Sequence, residues 1–327
     1  MGRQMEYYIG IDGGGSKTRF LCVDSAGRAA GTSLQSGIYC NQCGLEAVIT
    51  TLKRGIAECL PDGADRVIIG CGMPAYGEDP ELDAKAVREI TRALAPMPVR
   101  FENDVIVGWA GALAMAPGIT IVGGTGTIGY GQDPQGGSTR CGGWHEFFSD
   151  EGSGYWLGKR LLQIFSKESD GRLSKTQLYP LLKERLGLQN DFDLATYAST
   201  KYSSSRKETA ALQPILLEAA RAGDPYALRS YDEATDEMVE IILGVIRNLS
   251  FPESEPIRIS YSGGLFTIDD LVLQPVKDKL LHRGLSNAVV SRPELSPCQG
   301  AVLLAIEQFE PAGFGAMKKN MSDLGYM

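Results

Sequence analysis

The sequence predicts an α/β protein of two duplicated domains with a ligand cleft between them. Two observations carry that prediction. A strand–glycine turn–strand unit occurs twice: Tyr7–Ile11, Asp12-Gly13-Gly14-Gly15-Ser16-Lys17-Thr18 and Arg19–Val23, then Ile119–Val122, Gly123-Gly124-Thr125-Gly126-Thr127 and Ile128–Tyr130. After each unit, strand-like and helix-like stretches follow, which implies mixed sheets covered by helices. A chain of 327 residues, 43% hydrophobic, has the length of about two domains and the apolar content to fill them.

In order, strands are expected near 7–12, 17–24 and 28–35, then a polar loop from Ser36 to Gly44. A helix near 44–60 keeps Leu45, Val48, Ile49, Leu52, Ile56 and Leu60 at helical spacing. Arg66–Gly72 is a strand, Glu81–Ala95 a helix, Val99–Glu102 a strand, and 104–115 an apolar helix. The pattern restarts at residue 119. A mostly helical stretch runs from Gly154 to Leu249, broken at Pro180 and Pro214. Ile257–Tyr261 is a strand ending in Ser262-Gly263-Gly264, followed by a helix near 268–281, a strand near 287–290 and a helix near 297–309. The tail after Pro311 shows no clear pattern.

Consecutive N–H groups in a glycine turn make a concave nest for anionic oxygens, and two facing nests suit a polyphosphate. Other phosphate motifs fail on context. In a Walker loop a Lys follows the second Gly directly and a helix comes next. Here Ser16 separates Gly15 from Lys17, and a strand follows. Gly124-Thr-Gly-Thr-Ile-Gly129 matches a dinucleotide string, yet that string should open a helix, and here a turn follows.

The net charge of −8 gives no basic face for nucleic acid. With neither a signal-peptide pattern nor a long apolar run, the expectation is a chain with no membrane association. The seven scattered cysteines read as reduced and the chain as cytoplasmic. Cys40-Asn41-Gln42-Cys43 has no second pair to complete a zinc site, and the histidines are His145 and His282 alone. Two thiols in a loop, or a redox pair, remain as readings.

These residues resemble the actin-like ATPase and sugar-kinase superfamily. More closely, the chain is similar to the N-acetylglucosamine kinase branch, grouped with the BadF/BadG/BcrA/BcrD ATPases. The segments are Ile11–Thr18, Asn103-Asp104, Gly123–Thr127, Cys141-Gly-Gly-Trp144, Ser149-Asp-Glu-Gly-Ser-Gly-Tyr-Trp156 and Ser262-Gly-Gly264. The resemblance implies two duplicated actin-like (ribonuclease H-like) domains, 1–117 with about 297–327, and 118–296, the last helix returning to the first sheet. It implies an ATP- and Mg²⁺-dependent kinase of an amino sugar, most simply N-acetylglucosamine at its 6-hydroxyl, and a homodimer. N-acetylmuramic acid or glucosamine are alternative substrates. An activator ATPase acting on a protein partner is the alternative role, although Cys141-Gly-Gly-Trp144 lacks the neighbouring cysteine an iron–sulfur cluster needs.

Asp104, where a strand hands over to a helix, reads equally as an N-cap or as the general base, and the resemblance implies the base. An Asp near its ordinary pKa suffices for that role. Asp12 would hold Mg²⁺ through water. Gly14, Gly15, Ser16, Lys17 and Thr18 form the first phosphate turn, and Gly124, Thr125, Gly126 and Thr127 the second. Gly263 and Gly264 border adenine or ribose. For the sugar, the resemblance implies Asn41, Asp104, Thr125, Gly143, Trp144 and Asp150. Glu151 is the alternative to Asp150, and a packed core position the alternative for Trp144.

Overall fold

The computed structural model describes residues 5–327. The chain divides into two compact units: residues up to Thr120 with Arg292–Met327, and Ile121–Ser291.

The first unit is built on β1 (Glu6–Gly13), β2 (Lys17–Asp24), β3 (Ala29–Ser36), β4 (Arg66–Met73) and β5 (Val99–Asn103). The sheet order is β3-β2-β1-β4-β5. β1, β2 and β3 are antiparallel neighbours, whereas β4 and β5 run parallel to β1. The helix Leu45–Cys59 leads into β4, and the helix Pro80–Leu94 connects β4 to β5.

Strand side chains alternate between faces. Ile9, Ile11, Phe20, Ile69 and Phe101 join Val48, Leu52, Ile56 and Ile90 of those helices in one core. Tyr8, Leu21, Val23 and Ile68 belong to the other, with Val302, Leu303 and Ile306 of the helix Pro297–Phe309. Gly10 and Gly70 sit side by side in β1 and β4. A Cβ at Gly10 would lie 1.8 Å from the Cys298 carbonyl oxygen, and one at Gly70 1.9 Å from that of Ala301. Only glycines there let the helix backbone settle directly on the strands.

The second unit carries β6 (Gly118–Gly123, at the division between units), β7 (Thr127–Gln132), β8 (Ser138–Gly142), β9 (Ile257–Ser262) and β10 (Ala288–Ser291). Its sheet runs β10-β9-β6-β7-β8. Read from the other edge, this is the same sequence of strands as in the first sheet. β7 and β8 are antiparallel, β9 and β10 parallel, as are their counterparts β2–β3 and β4–β5. The duplication expected from the two glycine turns is therefore present in the sheets. The helical stretch resolves mainly into Gly154–Ser169, Leu178–Leu186, Gln213–Arg221 and Pro225–Asn248, the last packed on β7 and β8.

Two elements differ from expectation. The segment after Tyr130, expected as a turn alone, continues β7 and pairs with β8. The tail is a helix, Pro311–Leu324, that docks Met317 and Met321 into the second core. Among the described residues no helix is long and apolar enough to cross a membrane.

Candidate active site

In the first unit the turn between β1 and β2 is closed by Gly14 N–H donating to Lys17 O at 3.1 Å. The end of β3 presses against it. Ile38 N–H donates to Gly14 O at 3.0 Å, and a Cβ at Gly37 would lie 2.2 Å from Gly15 O. The chain then makes the short helical turn Cys40–Cys43, so Asn41 is carried, exposed, beside the first glycine turn. Ser16 and Lys17 are exposed as well. Thr18 is not: its buried hydroxyl donates to Ser36 O at 2.9 Å and ties β2 to β3.

Asp12 is the penultimate residue of β1 and Asp104 follows β5, both at the carboxyl edge of the parallel strands, where open α/β sheets bind ligands. The helix Asp104–Ala112 is capped by Asn103, whose Oδ1 accepts from Val105 N–H at 3.0 Å. Asn103 also donates to Tyr76 O at 2.8 Å. The N-cap reading of Asp104 is thus corrected: its neighbour holds that position. Burial pushes the Asp104 carboxyl up to about 7, helped by the negative charge of Asp12 and, less, of Glu78. Backbone N–H groups of Val105 and Asp104 oppose the rise. Asp104 is thus held well above the ordinary Asp value.

Asp12 is raised too, chiefly by burial, with Arg19 and Lys17 pulling it down. Arg19 Nη1 lies 3.6 Å from Asp12 Oδ2. The negative charge of Asp12 raises Asp104, and such a place is one that a cation or a proton stabilises. Among the described residues no three His, Cys, Asp or Glu side chains could together hold a metal. Asp12 could offer a cation one carboxylate, and other ligands would have to come from outside this cluster.

In the second unit the turn Gly123–Thr127 is tied to the start of the helix Gly154–Ser169. Gly154 N–H donates to Gly124 O at 2.8 Å and Tyr155 N–H to Thr125 O at 3.1 Å. Thr125 is exposed, whereas the Thr127 hydroxyl is buried with no hydrogen-bond partner among the described residues. Asp150 lies behind this turn, 2% exposed. Its Oδ1 accepts from Thr127 N–H at 3.2 Å, and its Oδ2 is ion-paired with Arg206. Asp150 has a φ of 64°, the left-handed region that a non-glycine residue enters only when its surroundings enforce it. Burial raises its carboxyl; Arg206 and Thr127 hold it down. Glu151 is half-buried and accepts from the Ser149 hydroxyl at 3.2 Å.

Gly263, with φ 97°, packs its backbone on Gly123: a Cβ there would lie 2.3 Å from Gly123 O. Gly263 and the exposed Gly264 thus stand next to the second phosphate turn. Trp144 is 73% exposed, with the Arg140 guanidinium 6.0 Å from its ring centre. A core role for Trp144 is excluded. It follows Gly143, which has φ 62°.

Asp12, the first turn, Asn41 and Asp104 thus belong to the first unit; the second turn, Gly143, Trp144, Asp150 and Gly263-Gly264 belong to the second. Sequence reasoning missed Arg206. It stands in the helical stretch far from any glycine motif, and nothing at fixed spacing marks it.

The chain is similar to known proteins over most of its length. The chain is 31% identical over 316 residues to the N-acetyl-D-glucosamine kinase of Dictyostelium discoideum, covering 92% of this chain and 98% of that protein. It is 30% identical over 308 residues to the N-acetylmuramic acid/N-acetylglucosamine kinase of Clostridium acetobutylicum, with coverage of 92% and 98%. The structure of a candidate N-acetylglucosamine kinase from Chromobacterium violaceum superposes with a TM-score of 0.72 at 26% identity, over 93% of this chain and 100% of that one. The model of one family matches residues 9–305, nearly the whole length, and the chain belongs to that family, the BadF/BadG/BcrA/BcrD ATPases.

Proposed function

We propose that the chain is an ATP-dependent kinase that phosphorylates the 6-hydroxyl of an amino sugar, N-acetylglucosamine first among them. The family and its sugar-kinase relatives support phosphoryl transfer from ATP. The observation that carries the mechanism is Asp104, a carboxyl raised to about 7 at the carboxyl edge of the first sheet. A general base works best with a pKa near the working pH.

In this reading the sugar oxygen bonds to the γ-phosphorus while Asp104 accepts the hydroxyl proton. The bond from that phosphorus to the bridging oxygen breaks, and its electron pair leaves with ADP. Little other covalent chemistry is needed, because phosphoryl transfer depends mainly on positioning and charge stabilisation. The N–H groups of the two glycine turns supply the positioning. Mg²⁺, held through Asp12, would neutralise charge on the phosphate oxygens. Gly263 and Gly264 are assigned to the nucleoside end. Asn41, Thr125, Gly143 and Trp144 are assigned to the sugar. The exposed Trp144 ring offers an apolar face to a pyranose ring or an acetyl methyl.

The test is coupled ADP release with Mg-ATP and N-acetylglucosamine, N-acetylmuramic acid, glucosamine or glucose. Release that depends on N-acetylglucosamine, with the 6-phosphate as product, supports the reading. Slow release indifferent to every sugar overturns it.

A further inference from the structure

We propose that Arg206 is a nucleotide-binding residue of the second glycine turn, its guanidinium contacting the terminal phosphate of ATP. The inference rests on the kinase reading and assigns a residue that neither the motifs nor the resemblance singles out.

The first ground is position. A Cβ built on Gly126 would lie 1.8 Å from Arg206 Nη2, so the guanidinium occupies the space a side chain at Gly126 would need. With glycine at 126 the guanidinium can lie in this space beside the turn. A cation is thereby placed against the peptide groups that form the phosphate nest.

The second ground is anchoring. Asp150 Oδ2 is ion-paired with Arg206, while Asp150 Oδ1 takes the N–H of Thr127 at 3.2 Å. One buried carboxylate thus fixes both the guanidinium and the last residue of the turn. The enforced left-handed backbone at Asp150 is consistent with a position held for a purpose. A guanidinium carries five N–H donors in a planar fork. With its side chain 39% exposed, Arg206 keeps part of that fork open, and a phosphate accepts such a fork with two parallel bonds.

The third ground is charge. Around Asp150 stand Glu146 and Glu151, both of which raise its carboxyl, and Arg206, which lowers it. Three acids and one base would repel a polyphosphate unless the base faces it. Neutralising Asp150 alone would require no exposure of the guanidinium.

The test compares binding of Mg-ADP and a Mg-bound non-hydrolysable ATP analogue by calorimetry, in wild type, Arg206→Gln, Arg206→Lys and the double variant Arg206→Gln/Asp150→Asn. Thermal melting checks folding. Arg206→Gln is expected to weaken the ATP analogue at least about tenfold more than ADP, the scale of a lost charge-assisted bond. Arg206→Lys should recover part of that difference. The double variant leaves no carboxylate unpaired, and its preference for the ATP analogue should stay low. If Arg206→Gln keeps the wild-type ratio, or the double variant restores it, Arg206 serves only to pair Asp150 and the proposal is overturned. Failure of the kinase reading shows separately, in the sugar dependence of wild-type ADP release.

Discussion

Replacing Asp104 with Asn separates what this carboxylate does for catalysis from what it does to the fold. In the unfolded chain an Asp titrates at its ordinary value of 3.8, and in the folded protein Asp104 is held at about 7. Each tenfold gain in proton affinity corresponds to about 1.4 kcal/mol, so the ionised carboxylate costs the fold at most about 4 kcal/mol. Asp104 is partly exposed, and solvent screens some of that, so about 2 kcal/mol is the working figure. Between pH 4 and 7 the folded state binds more protons than the unfolded one, and wild-type stability falls as the pH rises. Asn does not titrate. Asp104→Asn should therefore match wild type near pH 4, gain across this window and hold its full advantage above pH 7. The gain is roughly 4–8 °C in melting temperature for a unit of this size. The assay is calorimetric melting from pH 4 to 8.5 in chelator without nucleotide, with kcat measured on the same samples. kcat should fall by about 10²–10⁴. A variant that is less stable than wild type at pH 8, or shifted equally at every pH, would refute the electrostatic account of Asp104.

Three further outcomes are expected. Gly10→Ala should destabilise the protein by at least about 3 kcal/mol in urea titration, because its Cβ would collide with backbone at 1.8 Å rather than with a movable side chain. Asn41→Ala should raise the sugar KM much more than the ATP KM; equal changes would remove Asn41 from the sugar site. Trp144→Ala should leave the melting temperature almost unchanged, since exposed substitutions shift stability by about 0.5 kcal/mol or less, while raising the KM for N-acetylglucosamine. A large loss of stability would show that Trp144 packs after all.

The sheets were legible because each begins with a glycine turn between two apolar strands, a pattern carried by a dozen adjacent residues. β8 was not legible. Ser138–Gly142 is an edge strand with no buried residue in it, so no alternation marks it. The final helix was hidden for a similar reason: of Pro311–Leu324, only Met317 and Met321 are buried, too few to show a period. Asp12 and both turns were found from local spacing, whereas the elevated carboxyl of Asp104 comes chiefly from burial in the folded unit, with Asp12, distant in sequence, adding to it. Arg206 is likewise distant in sequence from the turn it lies against, and its part arises only when the helical stretch folds back on Gly126. Local pattern thus shows where a backbone turns, but the charge state and neighbours of a side chain are properties of the assembled unit.

The glycine pair at Gly10 and Gly70 has a bearing on synthesis. The helix it receives begins at Pro297, so Tyr8, Leu21, Val23 and Ile68 are translated long before their cover. Until then the first sheet has one finished face and one open apolar face, and all of Ile121–Ser291 must leave the ribosome in the meantime. Pairing of such long range makes folding slow and leaves the open face prone to association. A chain halted before Pro297 would hold every residue assigned here to catalysis, yet have nothing of its own to close that face.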